Sequence, residues 1–282
     1  MTSQGNLVST EWVQSNIQQI KREDGEFRLI EVDVDTNAYS KGHIEGAISW
    51  HWKEDLNDLT TRDIVSWDDF EKLLQLSGIT KDTTVLLYGD NNNWFAAFAF
   101  WLLKYYGHPK VHLVDGGRKK WELEGRDLTT EIPNIMPSDY QITEINKGIR
   151  ALRSDVEAAM KNGVPMVDVR SPKEYSGEIL APPGLNETCQ RGGHIPGAIN
   201  IPWSTAVKED GSYESPDKLR QIYQINPGMD KAIAYCRIGE RSSHTWFALK
   251  YLLGLQDVKN YDGSWTEWGN LIAAPITKGS EP

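Results

Sequence analysis

The feature that most constrains this chain is that it repeats itself. Gly42-His43-Ile44-Glu45-Gly46-Ala47-Ile48 recurs as Gly193-His194-Ile195-Pro196-Gly197-Ala198-Ile199. The stretch from Tyr88 to Trp121 superposes without a gap on that from Tyr235 to Trp268. Identities fall at Tyr88/Tyr235, Phe100/Phe247, Gly107/Gly254, Val111/Val258, Asp115/Asp262, Gly116/Gly263 and Trp121/Trp268. Two copies do not make a solenoid; they make a pair of similar domains. Each copy alternates strand and helix signals. Ser9 or Thr10 caps an opening helix, and Leu29–Val34 alternates as a strand. Ser66 caps a helix, Thr84–Tyr88 is a buried strand, and Trp94–Tyr106 is an apolar helix closed by Gly107. Val111–Val114 and Arg118–Glu124 complete the first copy. In the second, Arg153–Asn162 reads as a helix and Met166–Arg170 as a strand. Such alternation predicts an α/β fold: two similar domains, each a parallel sheet flanked by helices. The periodicity lapses around Pro133 and Pro137. This places a linker at 127–150, between domains at 1–126 and 151–282.

The chemistry concentrates in Ala232-Ile233-Ala234-Tyr235-Cys236-Arg237-Ile238-Gly239-Glu240-Arg241-Ser242-Ser243. A short apolar run ends at Cys236. An amphipathic pattern begins at Ser243, with Gly254 placed to end it. Strand, tight loop and helix put the cysteine at the carboxyl end of a strand, where parallel sheets carry their sites. Loop N–H groups, the following helix N-terminus, Arg237 and Arg241 together predict an anion site, and a thiol held as thiolate by a depressed pKa.

The first copy has lost this arrangement. Cys236 pairs with Gly89, Arg237 with Asp90 and Arg241 with Trp94, while Arg170 pairs with Asp35. The fold is expected in both halves and the chemistry in one. The first half is then a wall of the site or a partner-binding module. His43 and His194 occur in both copies and read as structural. Glu240 reads as solvated or paired with an arginine, and Cys189, in the long insertion between Tyr175 and Gly193, as incidental.

A net charge of −10 without basic runs disfavours nucleic acid and anionic membranes as partners. Two cysteines make neither a disulfide framework nor a zinc site. With no signal peptide or membrane-length apolar run, the expectation is a cytoplasmic protein with reduced thiols.

The doubled Gly-His-Ile-x-Gly-Ala, Val-Asp-Val-Arg-Ser-x-x-Glu-Tyr at 167–175, Cys-Arg-x-Gly at 236–239 and Asp-Gly-Ser-Trp at 262–265 belong together. With them the chain resembles the tandem-domain rhodaneses, the thiosulfate sulfurtransferases, over almost its whole length. The resemblance implies an inactive N-terminal domain and a Cys236 that cycles between thiol and persulfide. It also implies that Arg170 binds substrate. Animal members of the family often carry lysine where this chain has Ile238. The expected site is therefore Cys236 as nucleophile, with Arg170, Arg237, Ile238, Gly239, Glu240, Arg241 and Ser242 around the substrate. No metal or cofactor is implied. Partners are a small anionic donor such as thiosulfate and a cyanide or thiol acceptor, a protein acceptor included. If the thiolate is already formed, no general base is needed.

Two other readings compete. Cysteine phosphatases separate cysteine and arginine by five residues; here Arg241 follows Cys236 after four, and Tyr235 stands where a histidine is usual. A persulfide carrier that delivers sulfur to a protein fits the same residues. Mercaptopyruvate is the alternative donor, but its users tend to Cys-Gly-Ser-Gly rather than Cys-Arg-x-Gly.

Overall fold

The computed structural model describes residues 5–22, 25–182 and 189–282. The chain forms two compact units, Met1–Asn146 with Glu209–Tyr213, and Lys147–Lys208 with Glu214–Pro282. The first holds five strands: β1 (Leu7–Val8), β2 (Phe27–Asp33), β3 (Ala47–His51), β4 (Thr84–Tyr88) and β5 (Val111–Val114). They run in the order β1-β5-β4-β2-β3, with every pairing parallel. The second unit holds β6 (Met166–Asp168), β7 (Ala198–Asn200), β8 (Lys231–Tyr235) and β9 (Asp257–Tyr261), ordered β7-β6-β8-β9 and again parallel. Its counterpart of β1 is reduced to a single parallel bridge, Arg150 to Asn260. Among the described residues no helix is long and apolar enough to cross a membrane.

Local chemistry sets the element ends. Ser9 and Ser66 accept the N–H groups of Trp12 and Asp69, as N-caps do. The helix Trp94–Tyr105 packs ten apolar side chains out of water, which explains its unbroken hydrophobic run. The helix predicted from Ser243 instead begins at Glu240. It runs to Phe247, with all eight residues buried. Periodicity could not find its first turn, because that turn is polar and interior. A π-helical turn, Ala248–Leu252, follows, and Gly254 turns the chain with φ +80°.

The predicted linker is not one. Thr129 forms an antiparallel bridge with His43, Ser138 N–H reaches Gln75 O at 2.9 Å, and Ile142 N–H reaches Glu71 Oε2 at 2.7 Å. Residues 127–146 thus complete the first unit, and the boundary falls at 146/147. Prolines obscured this, since extended segments held by distant backbone and side-chain groups leave no periodicity. In the second unit Thr277 bridges His194 in the same way. Residues 209–213 also depart from the expected division and group with the first unit. There Asp210 pairs with Lys120 at 2.6 Å and Tyr213 N–H reaches Asp115 Oδ1 at 2.9 Å.

The doubled histidine is structural in both units. His43 stacks on Tyr39 at 3.8 Å and His194 on Tyr175 at 3.6 Å. Each Nδ1 lies 2.9 Å from the carbonyl oxygen of its tyrosine, and His43 Nε2 also lies 3.1 Å from Glu131 O, so the rings tie the turn to backbone carbonyls.

Candidate active site

β8 delivers Cys236 to the carboxyl edge of the second sheet. Cys236 N–H donates to Ser264 Oγ at 3.1 Å, and Cys236 O accepts from Trp265 N–H at 3.2 Å. The chain then turns through Arg237 and Ile238 to Gly239, at φ +99°. A Cβ at Gly239 would lie 3.0 Å from Asp262 Cα, so both conformation and space select glycine. The turn brings Gly239 N–H to 3.2 Å from Cys236 Sγ, and Ser242 Oγ to 3.5 Å. Glu240 Oε2 accepts from the thiol at 3.4 Å. Ser242 and Ser243 are held in turn by Asn260 on β9, at 2.7 and 2.9 Å.

The structure decides three expectations. First, the thiol is not predisposed to be a thiolate. Burial, and then the Glu240 carboxylate, push the Cys236 pKa up, against the pull of Arg241 and Ser242. The loop geometry anticipated from sequence is present, but desolvation outweighs it in a fully buried thiol. Second, of the two readings of Glu240 the pairing with an arginine holds: it is buried, between Sγ and Arg241 Nε, 3.4 Å from each. Third, Arg170 is buried and engaged in the fold. Its Nη2 bonds Asp168 Oδ2 at 2.6 Å and Gly193 O at 2.7 Å, and its guanidinium lies 4.4 Å from the Trp265 ring centre.

The first unit shows what that arginine does. The sheet register sets Glu31 beside Tyr88 and Asp168 beside Tyr235, so the buried acids Glu31 and Asp168 correspond. Arg170 therefore corresponds to Asp33, two residues earlier than the sequence comparison suggested. The guanidinium facing Glu31 comes instead from Arg118, at 2.6 Å, and Arg118 occupies the position equivalent to Trp265. Arg118 also donates to Gly42 O, as Arg170 does to Gly193 O. Both units thus join a strand-end acid to the Gly-His turn through an arginine, taken from different elements.

Of the remaining predicted residues, Arg241 is brought close. Its guanidinium holds both oxygens of Glu174 at 3.1 Å, and both side chains are buried. Despite the cost of burial, Arg241 and Ser171 keep the Glu174 carboxyl below the usual range. Arg237 is buried beside Cys236, and Ile238 is half-buried. Glu174, Asn260 and Ser264 carry site geometry but had no predicted role. The Ser171-x-x-Glu174 capping box was a visible signal for Glu174, though not for its second bond to Arg241. Cys189 is buried, its Sγ 3.2 Å from Arg191 O, in a core that includes Trp265 and Trp268. Of the insertion around it, residues 183–188 lie outside those described.

The first unit's loop is rebuilt, not merely stripped of its cysteine. Asn93 Oδ1 accepts Gly89 N–H at 3.0 Å, the job Ser264 does for Cys236, and Gly117 leaves it room. A Cβ at Gly89 would strike the Val32 carbonyl, so no nucleophile fits there. Asp33 and Asp90 meet beneath this loop, where Asp90 N–H donates to Asp33 Oδ1 at 2.8 Å. Burial, then the neighbouring Glu31, raises Asp33 to about 7. Burial, then Asp33, raises Asp90 to about 7. Carboxyls of this kind bind protons in the folded state between about pH 4 and their folded pKa, where the unfolded chain does not. Their contribution to stability is present below that window and is lost as pH rises through it. Asp33→Asn should therefore gain stability relative to the unsubstituted protein as pH goes from 5 to 8, in paired denaturant titrations. In that difference the low-titrating His108 and His244 cancel. A pH-independent difference would show that the two carboxyls do not share protons.

The site is a buried thiol at a strand end, ringed by loop N–H, hydroxyl, carboxylate and arginine on a parallel α/β unit. The rhodanese-like domain model matches twice, over residues 9–124 and 152–271. The chain belongs to the rhodanese family, as two tandem domains. A Haloferax volcanii protein named "Putative thiosulfate sulfurtransferase" is 55% identical over 97% of this chain and 96% of its own length. "Sulfur carrier protein TtuD" of Thermus thermophilus is 52% identical over 98% of this chain and 97% of its own. Among solved structures, an anaerobic ergothioneine biosynthesis enzyme from Chlorobium limicola, bound to trimethyl histidine, superposes with TM-score 0.85 at 25% identity. The match covers 97% of this chain and 70% of that one. YnjE superposes with TM-score 0.85 at 24% identity and shows the fold alone.

Proposed function

We propose that this protein is a sulfurtransferase that carries sulfur as a persulfide on Cys236, with thiosulfate as donor and cyanide or a thiol as acceptor. The observation that carries the reading is the seat of Cys236 Sγ, which accepts from Gly239 N–H at 3.2 Å at the start of a buried helix. In this reading the Cys236 sulfur attacks the outer sulfur of the donor, the bond to the sulfonate sulfur breaks, and sulfite leaves with the electron pair. The terminal persulfide sulfur is anionic, and loop N–H groups stabilise it as they would an oxyanion. The acceptor then attacks that sulfur and restores Cys236. Arg237, Arg241 and the Gly239–Ser242 turn supply the charge and donors that favour an anion. Arg241 acts from behind its pair with Glu174, and Arg170 acts by holding the strand end.

The donor follows from charge. Thiosulfate is a compact dianion, whereas mercaptopyruvate carries one carboxylate and a ketone. Two arginines in and after the loop suit the dianion, since each cation offsets desolvation of a negative group. We expect kcat/KM for thiosulfate to exceed that for mercaptopyruvate by about tenfold or more, equivalent to about 1.4 kcal/mol in the transition state. Steady-state rates with both donors and cyanide as acceptor check it. A faster reaction with mercaptopyruvate overturns the donor and leaves the persulfide chemistry in place.

A second reading is favoured by the Thermus thermophilus relative with the sulfur-carrier name. Here the persulfide passes to a protein rather than to a small thiol. Binding of persulfide-loaded protein to candidate acceptors, against protein alkylated at Cys236, separates the two.

A further inference from the structure

We infer that Glu240 is the general base that takes the proton from Cys236 and so creates the sulfur nucleophile. The inference rests on the persulfide chemistry proposed above and deepens it. The geometry comes first. Cys236 has no exposed surface, and Glu240 is 3% exposed. The thiol donates to Glu240 Oε2 at 3.4 Å, while Gly239 N–H donates to the same sulfur at 3.2 Å. Ser242 Oγ lies 3.5 Å from that sulfur, with its hydroxyl donating to Asn260 Oδ1 at 2.7 Å. One contact removes the proton and the Gly239 N–H is ready to hold the anion.

The surrounding charges make the internal transfer preferable to loss of the proton to water. Arg241 lies between two carboxylates, with Nε 3.4 Å from Glu240 Oε1 and its two terminal nitrogens on Glu174. Arg237 follows Cys236 in the loop. On the side of Gly239, Asp262 is held by Arg150 at 2.8 Å. His244, one turn along the same helix, is pushed by burial down to about 3 and stays neutral. Releasing the proton to solvent would add one negative charge to a buried site. Passing it to Glu240 moves a charge by one hydrogen bond and adds none.

The step balances. The thiol and the Glu240 carboxylate become a thiolate and a carboxylic acid, with no change in total charge. Glu240 O–H then donates to sulfur across the same contact, reversed. The thiolate forms a bond to the sulfane sulfur of thiosulfate, the sulfur–sulfur bond of the donor breaks, and sulfite departs with its electrons. The proton on Glu240 leaves with sulfite as hydrogen sulfite, the persulfide stays anionic, and the carboxylate is restored. No oxidant or reductant is required.

The test is alkylation of Cys236 by iodoacetamide, an uncharged reagent, in a Cys189→Ser background, read by mass spectrometry from pH 6 to 10. With Glu240 as base, the tautomer that reacts has the same protonation as the resting pair. The rate should then be flat across about pH 6–8; a thiol that must lose its proton to solvent gains about tenfold per pH unit. Glu240→Gln should slow alkylation at pH 7 by roughly a hundredfold and recover as pH rises. If Glu240 were only a buried charge beside the thiol, the same substitution would relieve repulsion and speed alkylation at pH 7. A rate in Glu240→Gln equal to or above the parent's, or a slope of one in the parent's own profile, overturns the inference. The parent's profile decides even if the variant does not fold. Alkylation needs no sulfur donor, so absence of a persulfide after thiosulfate would sink the functional reading and leave this one standing.

Discussion

Cys236→Ser should abolish sulfur transfer, and Cys189→Ser should keep most of it. Serine fills nearly the same volume and can keep the Gly239 and Ser242 contacts, so the fold should survive. What it lacks is the polarisable sulfur that accepts a second sulfur atom. Its hydroxyl is also far harder to ionise than a thiol beside the same Glu240 carboxylate. The rate should fall to that of the uncatalysed reaction. Incubation with thiosulfate should add about one sulfur per chain, and peptide mapping should place it on Cys236. Cys189 sits in the Trp265/Trp268 core, and among the described residues its sulfur faces the carbonyl oxygens of Leu180 and Arg191, which do not stabilise an anion. Sulfur found on Cys189 would mean that the site has been misassigned.

Arg170→Ala should lose stability before it loses anything else. Asp168 has no exposed surface, and Arg170 is 1% exposed. Their 2.6 Å ion pair is continued by the Gly193 carbonyl and the Trp265 ring. Removing one member of such a pair leaves a buried charge without a partner, at a cost of about 3–5 kcal/mol. Denaturant unfolding measures it, and Asp168→Asn in the same chain should return part of the loss, because it removes the stranded charge. If Arg170 instead bound the donor, the variant would be as stable as the parent and kcat/KM for thiosulfate would collapse. That result would contradict the structural role. The repetition of the same acid–arginine–carbonyl bridge in the first unit, which has no cysteine at the corresponding position, argues for architecture.

Both expectations turn on one distinction. Repetition, strand–helix alternation and the Cys-Arg-x-Gly loop are local patterns, and they were legible. They located two parallel α/β units, put Cys236 at a strand end and put a glycine at the matching position of the first unit. The capping serines and the structural histidines were also legible, since their partners lie within a few residues or recur in both copies. The boundary at 146/147 falls inside the expected stretch, but the attachment of residues 129–142 to the first unit was not legible, because their partners lie far away in sequence and extended chain of that kind has no period of its own.

By itself the sequence determined the element order and the duplication, and it singled out Cys236, because each is written in neighbouring residues or in their recurrence. Only the tertiary structure decided the electrical state of the site. Whether Arg170 faces a substrate or Asp168, whether Glu240 meets water or Sγ, and whether Cys236 rests as thiol or thiolate depend on burial and on partners from other strands. Those quantities are set when β6, β8 and β9 come together. The desolvation they impose is larger than the pull of a helix end and a nearby arginine, so the Cys236 pKa is pushed up and not down.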